Sequence, residues 1–435
     1  MTIQKRIAMV SEHAGPIALL GGVDAGGQNV HLDELSRNLG SLGYAVDIFT
    51  RRDDPKLPEV VDWAPGVRVI HVNAGPVQTI PKDDIWPHMA EFTGGMLTFM
   101  LRSGARYDLL HGHFWMSGWA VARLRQRLQL PAVQIFHATG ITKRHHQGAA
   151  DTSPPERIAV ERRIVNEVDC MIAQCPAEQH ELVIDYGADP GRVMIIPSAV
   201  NTRRFRPIDR AAARRAIGLP LDDIPTIVYV GRMLPRKDVR NLLYAAAELI
   251  HARAMPVRLL LVGGHVSGDP NAGEVGVLQA LAAELRISEH TIFFGQRQPD
   301  QLYRYYCAAD VAVSTPWYES YGLTPLEAMA CGRPIIVSAV GGLTFTVQHG
   351  QTGLHVPPQA PQHLAAALHD LLSRPDRGAE MGRKARRRVE REFTWATTAH
   401  RTAALYESLL NGQTQAVATA EQARSVGERA PWMGD

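Results

Sequence analysis

Long apolar runs are missing from this 435-residue chain: no stretch of about eighteen apolar residues occurs, so no bilayer-spanning helix is expected. The N-terminus runs from Met1 through Lys5 and Arg6 straight into the strand-like Ile7–Val10, without the apolar segment that marks a signal peptide. A peripheral membrane contact stays open. Cysteine is scarce: Cys170, Cys175, Cys307 and Cys331 stand in apolar contexts, with neither zinc-ligand spacing nor a disulfide framework. They read as reduced core thiols of a cytoplasmic protein. Charge of one sign is lacking as well. Lys and Arg number 46 against 44 Asp and Glu, and a net charge of +2 gives no electrostatic reason to expect nucleic acid or an acidic membrane as partner.

What is present is alternation. Short apolar runs separated by amphipathic stretches predict an α/β architecture with parallel sheets. In the first half the expected strands are Ile7–Val10, Ala45–Phe49, Val67–His71, Leu109–His111, Ala132–Phe136, Cys170–Ala173 and Val193–Ile196. After the polar, proline-punctuated 197–207 a second series opens with Thr226–Val230 and continues through Leu259–Val262, Ile292–Phe294, Val311–Ser314 and Ile335–Val337. The length suits two such domains, 1–205 and 206–395, with a cleft between them, since ligands bind outside the carboxyl ends of strands in these sheets. One helical stretch is expected over Pro361–Phe393 and another over 396–410. The Gln-, Ala-, Ser- and Gly-rich tail 411–435 is expected to be disordered.

Two glutamates carry the most information. Val311–Ser314 reads as a buried strand, Trp317–Gly322 as the loop leaving its carboxyl end, and Pro325–Cys331 as a helix with proline in its first turn. Glu319 and Glu327 bracket the Gly322-Leu323-Thr324 turn. A helix N-terminus favours phosphate, and carboxylates accept hydrogen bonds from hydroxyls; together they suit a nucleotide sugar, one carboxylate for the ribose and one for the hexose. Taken by spacing alone, Glu327 is equally an ordinary helix glutamate and Glu319 a solvated loop residue.

Other motifs add to this reading. Gly21-Gly22-Val23-Asp24-Ala25-Gly26-Gly27-Gln28 joins the first strand to a helix expected over 29–42, and such a turn presents N–H groups to an anion, unless its glycines serve only the turn. It is neither the dinucleotide fingerprint nor a P-loop, which argues against a nicotinamide enzyme. Arg232 and Lys237 stand on the loop after Thr226–Val230, where two cations reach one diphosphate; as a bare pattern they are more often a solvated surface, and their position ahead of the glutamate motif reverses that. His111, His113 and His137 sit at strand ends with no carboxylate at ligand spacing, so no metal is expected.

In this order, the motifs resemble the retaining GT-B glycosyltransferases of family GT4, in particular the sucrose-phosphate synthase and mycothiol-type inositol-phosphate branches, over roughly residues 5–410. The resemblance implies two Rossmann-like domains facing across a cleft, with the last helix returning to the first domain. It implies metal- and cofactor-free transfer of a hexose from a UDP-hexose such as UDP-glucose to a hydroxyl of a sugar, sugar phosphate or polyol. Arg232 and Lys237 would neutralise the leaving diphosphate, Glu319 hold the hexose and Glu327 the ribose, with His137 beside the reacting bond. The resemblance places Gly26, Gly27, Tyr321, Gly322, Leu323 and Thr324 along the donor, and Gly264 and Arg297 near its base. Lys82, His113, Lys143, Arg144 and Arg157 fall near the acceptor, an acceptor phosphate included, although each basic residue singly reads as solvated. Phe114 and Ala138 depart from the tyrosine and threonine of the mycothiol enzymes, which leaves inositol phosphate unsupported as the acceptor. A reversible donor-forming enzyme, a nucleotide-sugar epimerase and an idle nucleotide-sugar binding protein are the competing readings. Oligomeric state is open, a homodimer included.

Overall fold

The computed structural model describes residues 4–17, 26–264 and 273–412. The chain divides into two compact units, one built from 1–197 with 396–435 and the other from 198–395. Gly21–Ala25 of the glycine-rich turn and the tail from residue 413 lie outside the described residues.

The first unit is an eight-stranded sheet of β1 (Arg6–Val10), β2 (Ala45–Arg51), β3 (Val60–Ala64), β4 (Val67–Val72), β5 (Leu109–His113), β6 (Ala132–Ile135), β7 (Cys170–Ala173) and β8 (Val193–Ile195), in the order β3-β4-β2-β1-β5-β6-β7-β8. All neighbours are parallel except β3, which runs antiparallel to β4 at the edge. Sequence periodicity did not expose β3 because Asp62 interrupts it and most of the strand is only half-buried. Phe49, Phe92, Trp115 and Phe136 fill the core against the sheet faces.

The second unit holds β9 (Thr226–Val230), β10 (Arg258–Val262), β11 (Thr291–Gly295), β12 (Val311–Ser314), β13 (Ile335–Ser338) and β14 (Gly353–Val356), ordered β11-β10-β9-β12-β13-β14 and parallel throughout. Strand order reverses between β9 and β12, which pair through Val311 with Ile227 and Ala312 with Val228. That reversal opens a crevice at the carboxyl ends of the two strands, where doubly wound sheets take their ligands. In the first unit the corresponding reversal lies between β1 and β5.

Three local expectations change. The single helical stretch over 361–393 is two helices, Pro361–Leu372 and Pro375–Glu392. Pro375 disfavours helical geometry at Arg374, which sits at φ −130° and ψ 69°. The helix after Glu319 begins at Leu323, two residues ahead of Pro325, so the proline occupies its first turn. The polar connection 198–206 packs with the second unit: Tyr321 Oη donates to Ser198 O at 2.5 Å, and Arg386 Nη1 donates to Phe205 O at 2.9 Å. From Ala396 the helix Trp395–Leu410 belongs to the first unit, where Tyr44 Oη donates to Glu407 at 2.6 Å. No helix among the described residues is long and apolar enough to cross a membrane, and all four cysteines are free and buried.

Candidate active site

In the second unit, the reversal of strand order places two of the sequence motifs side by side. The loop after β9 carries Arg232 and ends in the 3-10 turn Pro235–Lys237; the loop after β12 carries Trp317–Gly322. Trp317 N–H donates to Arg236 O at 2.9 Å, joining the loops through their backbones. Lys237 Nζ and Glu319 Oε2 form an ion pair, both side chains 18% exposed. Burial pushes the Glu319 carboxyl up, but contact with Lys237 and the nearby Arg236 and Arg232 outweigh it and hold the group below its ordinary range. It is therefore a carboxylate at neutral pH. Arg236, for which the sequence offered no role, contributes to that field and lies 5.2 Å from the Tyr318 ring centre.

Glycines allow this loop its path. Gly322 adopts φ +86°, and a Cβ there would stand 2.6 Å from Leu343 Cδ2. It caps the helix Leu323–Ala330, whose first N–H groups, at Leu323 and Thr324, face the crevice end of the sheet. Gly341, at φ +45°, lets the turn after β13 approach so closely that a Cβ would stand 2.1 Å from Glu319 O. Glu327 lies on the helix itself. Burial pushes its carboxyl up to about 7 against the Tyr306 hydroxyl, which donates to it at 2.7 Å, and the field of Arg204. Tyr306 was not legible as a site residue because it belongs to a different helix, Leu302–Ala308. Gly264 follows β10, where Gly263 N–H donates to Gly295 O at 2.9 Å. Arg297 is exposed just beyond β11, with its Nε donating to Tyr305 Oη at 2.8 Å. Tyr321 turns its ring inward, 4% exposed, and its hydroxyl holds Ser198.

The carboxyl ends of β1, β5 and β6 in the first unit gather a polar cluster. Gly26 and Gly27 open the helix Gly27–Ser41, with Gly26 N–H donating to Asn29 Oδ1 at 3.1 Å. His31 on this helix meets His137, ring centres 4.9 Å apart, and His113 Nδ1 lies 3.1 Å from His137 Nε2. His111 lies behind them, its ring tilted and centred 4.2 Å from that of His113, its Nδ1 2.6 Å from Tyr406 Oη. Burial lowers all four imidazoles, His31 and His111 to about 3 and the other two well below their ordinary value, so they are neutral at physiological pH. His137 holds φ +60°, a strained backbone for a non-glycine residue. Nitrogens of His31, His113 and His137 lie within 4.8 Å of one another, a set chemically able to ligate a borderline divalent cation. His31 escaped sequence analysis because a lone histidine in a helix gives no signal until folding brings it to two strand ends.

The basic residues have protein partners. Lys143 Nζ lies 3.0 Å from Asp151 Oδ1 and 3.6 Å from Asp83 Oδ2, and Arg144 Nε 3.7 Å from Asp151 Oδ2. Arg157 is 1% exposed and donates to Glu161 at 2.8 Å and to Ala138 O at 2.7 Å. Lys82 is half-buried at the start of the 3-10 turn Lys82–His88. A cavity of about 450 Å³ is lined by Pro225, Asp310 and Pro334 at the amino ends of β9, β12 and β13, the edge of the sheet away from these loops. It holds none of the motif residues.

Two doubly wound α/β units, one with a cation–carboxylate pair beside a helix N-terminus, have the architecture of the GT-B glycosyltransferases. Residues 209–388 match the family model of the glycosyl transferases group 1, and residues 26–199 that of the glycosyl transferase 4-like domain. A relative from Catenulispora acidiphila, D-inositol 3-phosphate glycosyltransferase 2, is 40% identical over 409 residues, covering 93% of this chain and 95% of its own. Among solved structures, sucrose-phosphate synthase from Thermosynechococcus elongatus superposes with a TM-score of 0.85 at 35% identity, over 94% of this chain and all (100%) of that one. Anabaena Alr3699/HepE, in complex with UDP and glucose, shares the fold at a TM-score of 0.71 and 18% identity, over 93% of this chain and 100% of its own. The chain belongs to the GT4 family of GT-B glycosyltransferases.

Proposed function

We propose that this glycosyltransferase moves a hexose, with retention at the anomeric carbon, from a UDP-hexose such as UDP-glucose to a hydroxyl of a sugar, sugar phosphate or polyol, the inositol phosphate named for its relative among them. The observation that carries this is the contact of Lys237 with Glu319 at the reversal of strand order in the second unit. It sets a cation for phosphate beside a carboxylate for sugar hydroxyls.

In this reading Arg232, Lys237 and the N–H groups at Leu323 and Thr324 bind the diphosphate, and their field stabilises the charge that grows on it as the anomeric carbon–oxygen bond breaks. Glu319 orients the hexose and Glu327 the ribose; Gly26, Gly27 and Gly322 allow close approach to the donor, Gly264 and Arg297 border the base, and Tyr321 fixes the loop. The acceptor hydroxyl attacks from the face the diphosphate leaves, and its proton passes to a diphosphate oxygen. His137, neutral and held in strained geometry, is assigned to the hexose beside the reacting bond, and His113 supports its ring. The four free, buried thiols suit a reducing compartment such as the cytoplasm.

The test is release of UDP, GDP or ADP from a panel of nucleotide sugars, with and without sugar, sugar-phosphate and inositol-phosphate acceptors. Acceptor-dependent release of UDP with an α-linked product by NMR is the expected result; an inverted product overturns the retaining assignment. Because cations of the protein neutralise the leaving group, dialysis against EDTA is expected to leave turnover within about twofold, a change of at most about 0.4 kcal/mol in barrier. A loss reversed by Zn²⁺ would instead assign a metal to His31, His113 and His137.

A further inference from the structure

We infer that the acceptor is an uncharged sugar or polyol, and that Asp83 and Asp151 discriminate against its phosphorylated counterpart. This rests on the transferase reading above and narrows its substrate class. The residues concerned surround the loop after β6, at the ligand end of the first unit's sheet, next to His137. Four cations stand there, Lys82, Lys143, Arg144 and Arg157, which in the sequence suggest an anion site. Folding pairs Lys143, Arg144 and Arg157 with carboxylates and sets Lys82 in the field of Asp83.

Lys143 Nζ contacts Asp151 at 3.0 Å, Asp83 at 3.6 Å and Ser153 Oγ at 2.9 Å. Arg144 reaches the second oxygen of Asp151 at 3.7 Å. Asp83 also accepts from Thr152 Oγ1 at 2.6 Å and lies in the field of Lys82. Arg157 is committed on all three nitrogens: Nε to Glu161 at 2.8 Å, Nη1 to Ser153 Oγ at 3.2 Å and Nη2 to Ala138 O at 2.7 Å. Its guanidinium lies over the Phe114 ring at 5.0 Å. Both aspartates are ionised at neutral pH. Burial pushes each up, but Ser153 and Lys143 bring Asp151 to about 2, and Thr152, Lys82 and Lys143 bring Asp83 below its ordinary range.

A phosphate seated at Lys143 would meet two carboxylates already bound to that ammonium, and like charges at such range repel. A hydroxyl meets no such opposition, since carboxylates accept its hydrogen bonds. The discrimination is one of built-in repulsion as much as of attraction.

The experiment compares acceptors in pairs, fructose with fructose 6-phosphate, glucose with glucose 6-phosphate and myo-inositol with inositol 1-phosphate, by UDP release from UDP-hexoses at fixed low ionic strength. The neutral member of the productive pair is expected to have a kcat/KM at least about tenfold higher. Asp151→Asn, alone and with Asp83→Asn, is expected to shift the ratio toward the phosphorylated member by about tenfold or more, mainly through KM. A wild-type preference for the phosphorylated member overturns the inference and leaves the transferase reading intact. An unchanged ratio in folded variants overturns the assignment to these aspartates. Absence of release with every pair removes the transferase reading and the acceptor assignment with it.

Discussion

Glu319→Gln is expected to lower kcat/KM for sugar transfer by about a hundredfold or more while leaving UDP affinity within a few-fold. The carboxylate is ionised, and each hydrogen bond that a charged group makes to a substrate hydroxyl contributes about 1.5–3 kcal/mol, so two such bonds account for a loss of this size. The amide keeps the volume but replaces one acceptor oxygen with an N–H donor beside the Lys237 ammonium, which makes the geometry adverse as well as weaker. The diphosphate contacts assigned to Arg232 and the helix N-terminus are untouched. Turnover by nucleotide release, paired with calorimetric titration of UDP, separates the two effects. Unchanged turnover would remove Glu319 from the mechanism.

Arg157→Met should act on stability rather than on transfer alone. Arg157 is 1% exposed, and its partner Glu161 also accepts from Gly140 N–H at 2.9 Å and from Tyr186 Oη at 2.5 Å. Burial already pushes the Glu161 carboxyl up despite the arginine. Removing one partner of such a buried pair strands the other, at a cost of about 3–5 kcal/mol. Thermal unfolding followed by hydrogen exchange of peptides in the first unit is expected to show the loss there, with the second unit protected as in the wild type. A variant that unfolds at the wild-type temperature but binds a phosphorylated acceptor poorly would make Arg157 a ligand of that phosphate.

Much of the fold was legible because parallel strands buried on both faces leave continuous apolar runs, as in Leu259–Val262 and Ile335–Val337. β3 and β14 were not, since edge strands are short or half-buried and the period-2 signal fades with burial. The break at Pro375 was written in the sequence, yet helical periodicity on either side concealed it. The pairing of Glu319 with Lys237 follows from motifs at two strand ends. Tyr306 beneath Glu327, and His31 beside His137, came from helices whose local sequence carries no chemical signature.

The sequence by itself determined the α/β class, the order of the donor motifs and the location of each at a strand's carboxyl end, because these depend on local periodicity and on turn residues near in the chain. Tertiary structure alone decided which charges meet. Lys82, Lys143, Arg144 and Arg157 form a basic set when read along the chain, and only the packing of Asp83, Asp151 and Glu161 among them turns three of the four cations into members of an ion-paired network. Electrostatic interaction depends on distance through space and on burial, and neither is a property of separation along the chain.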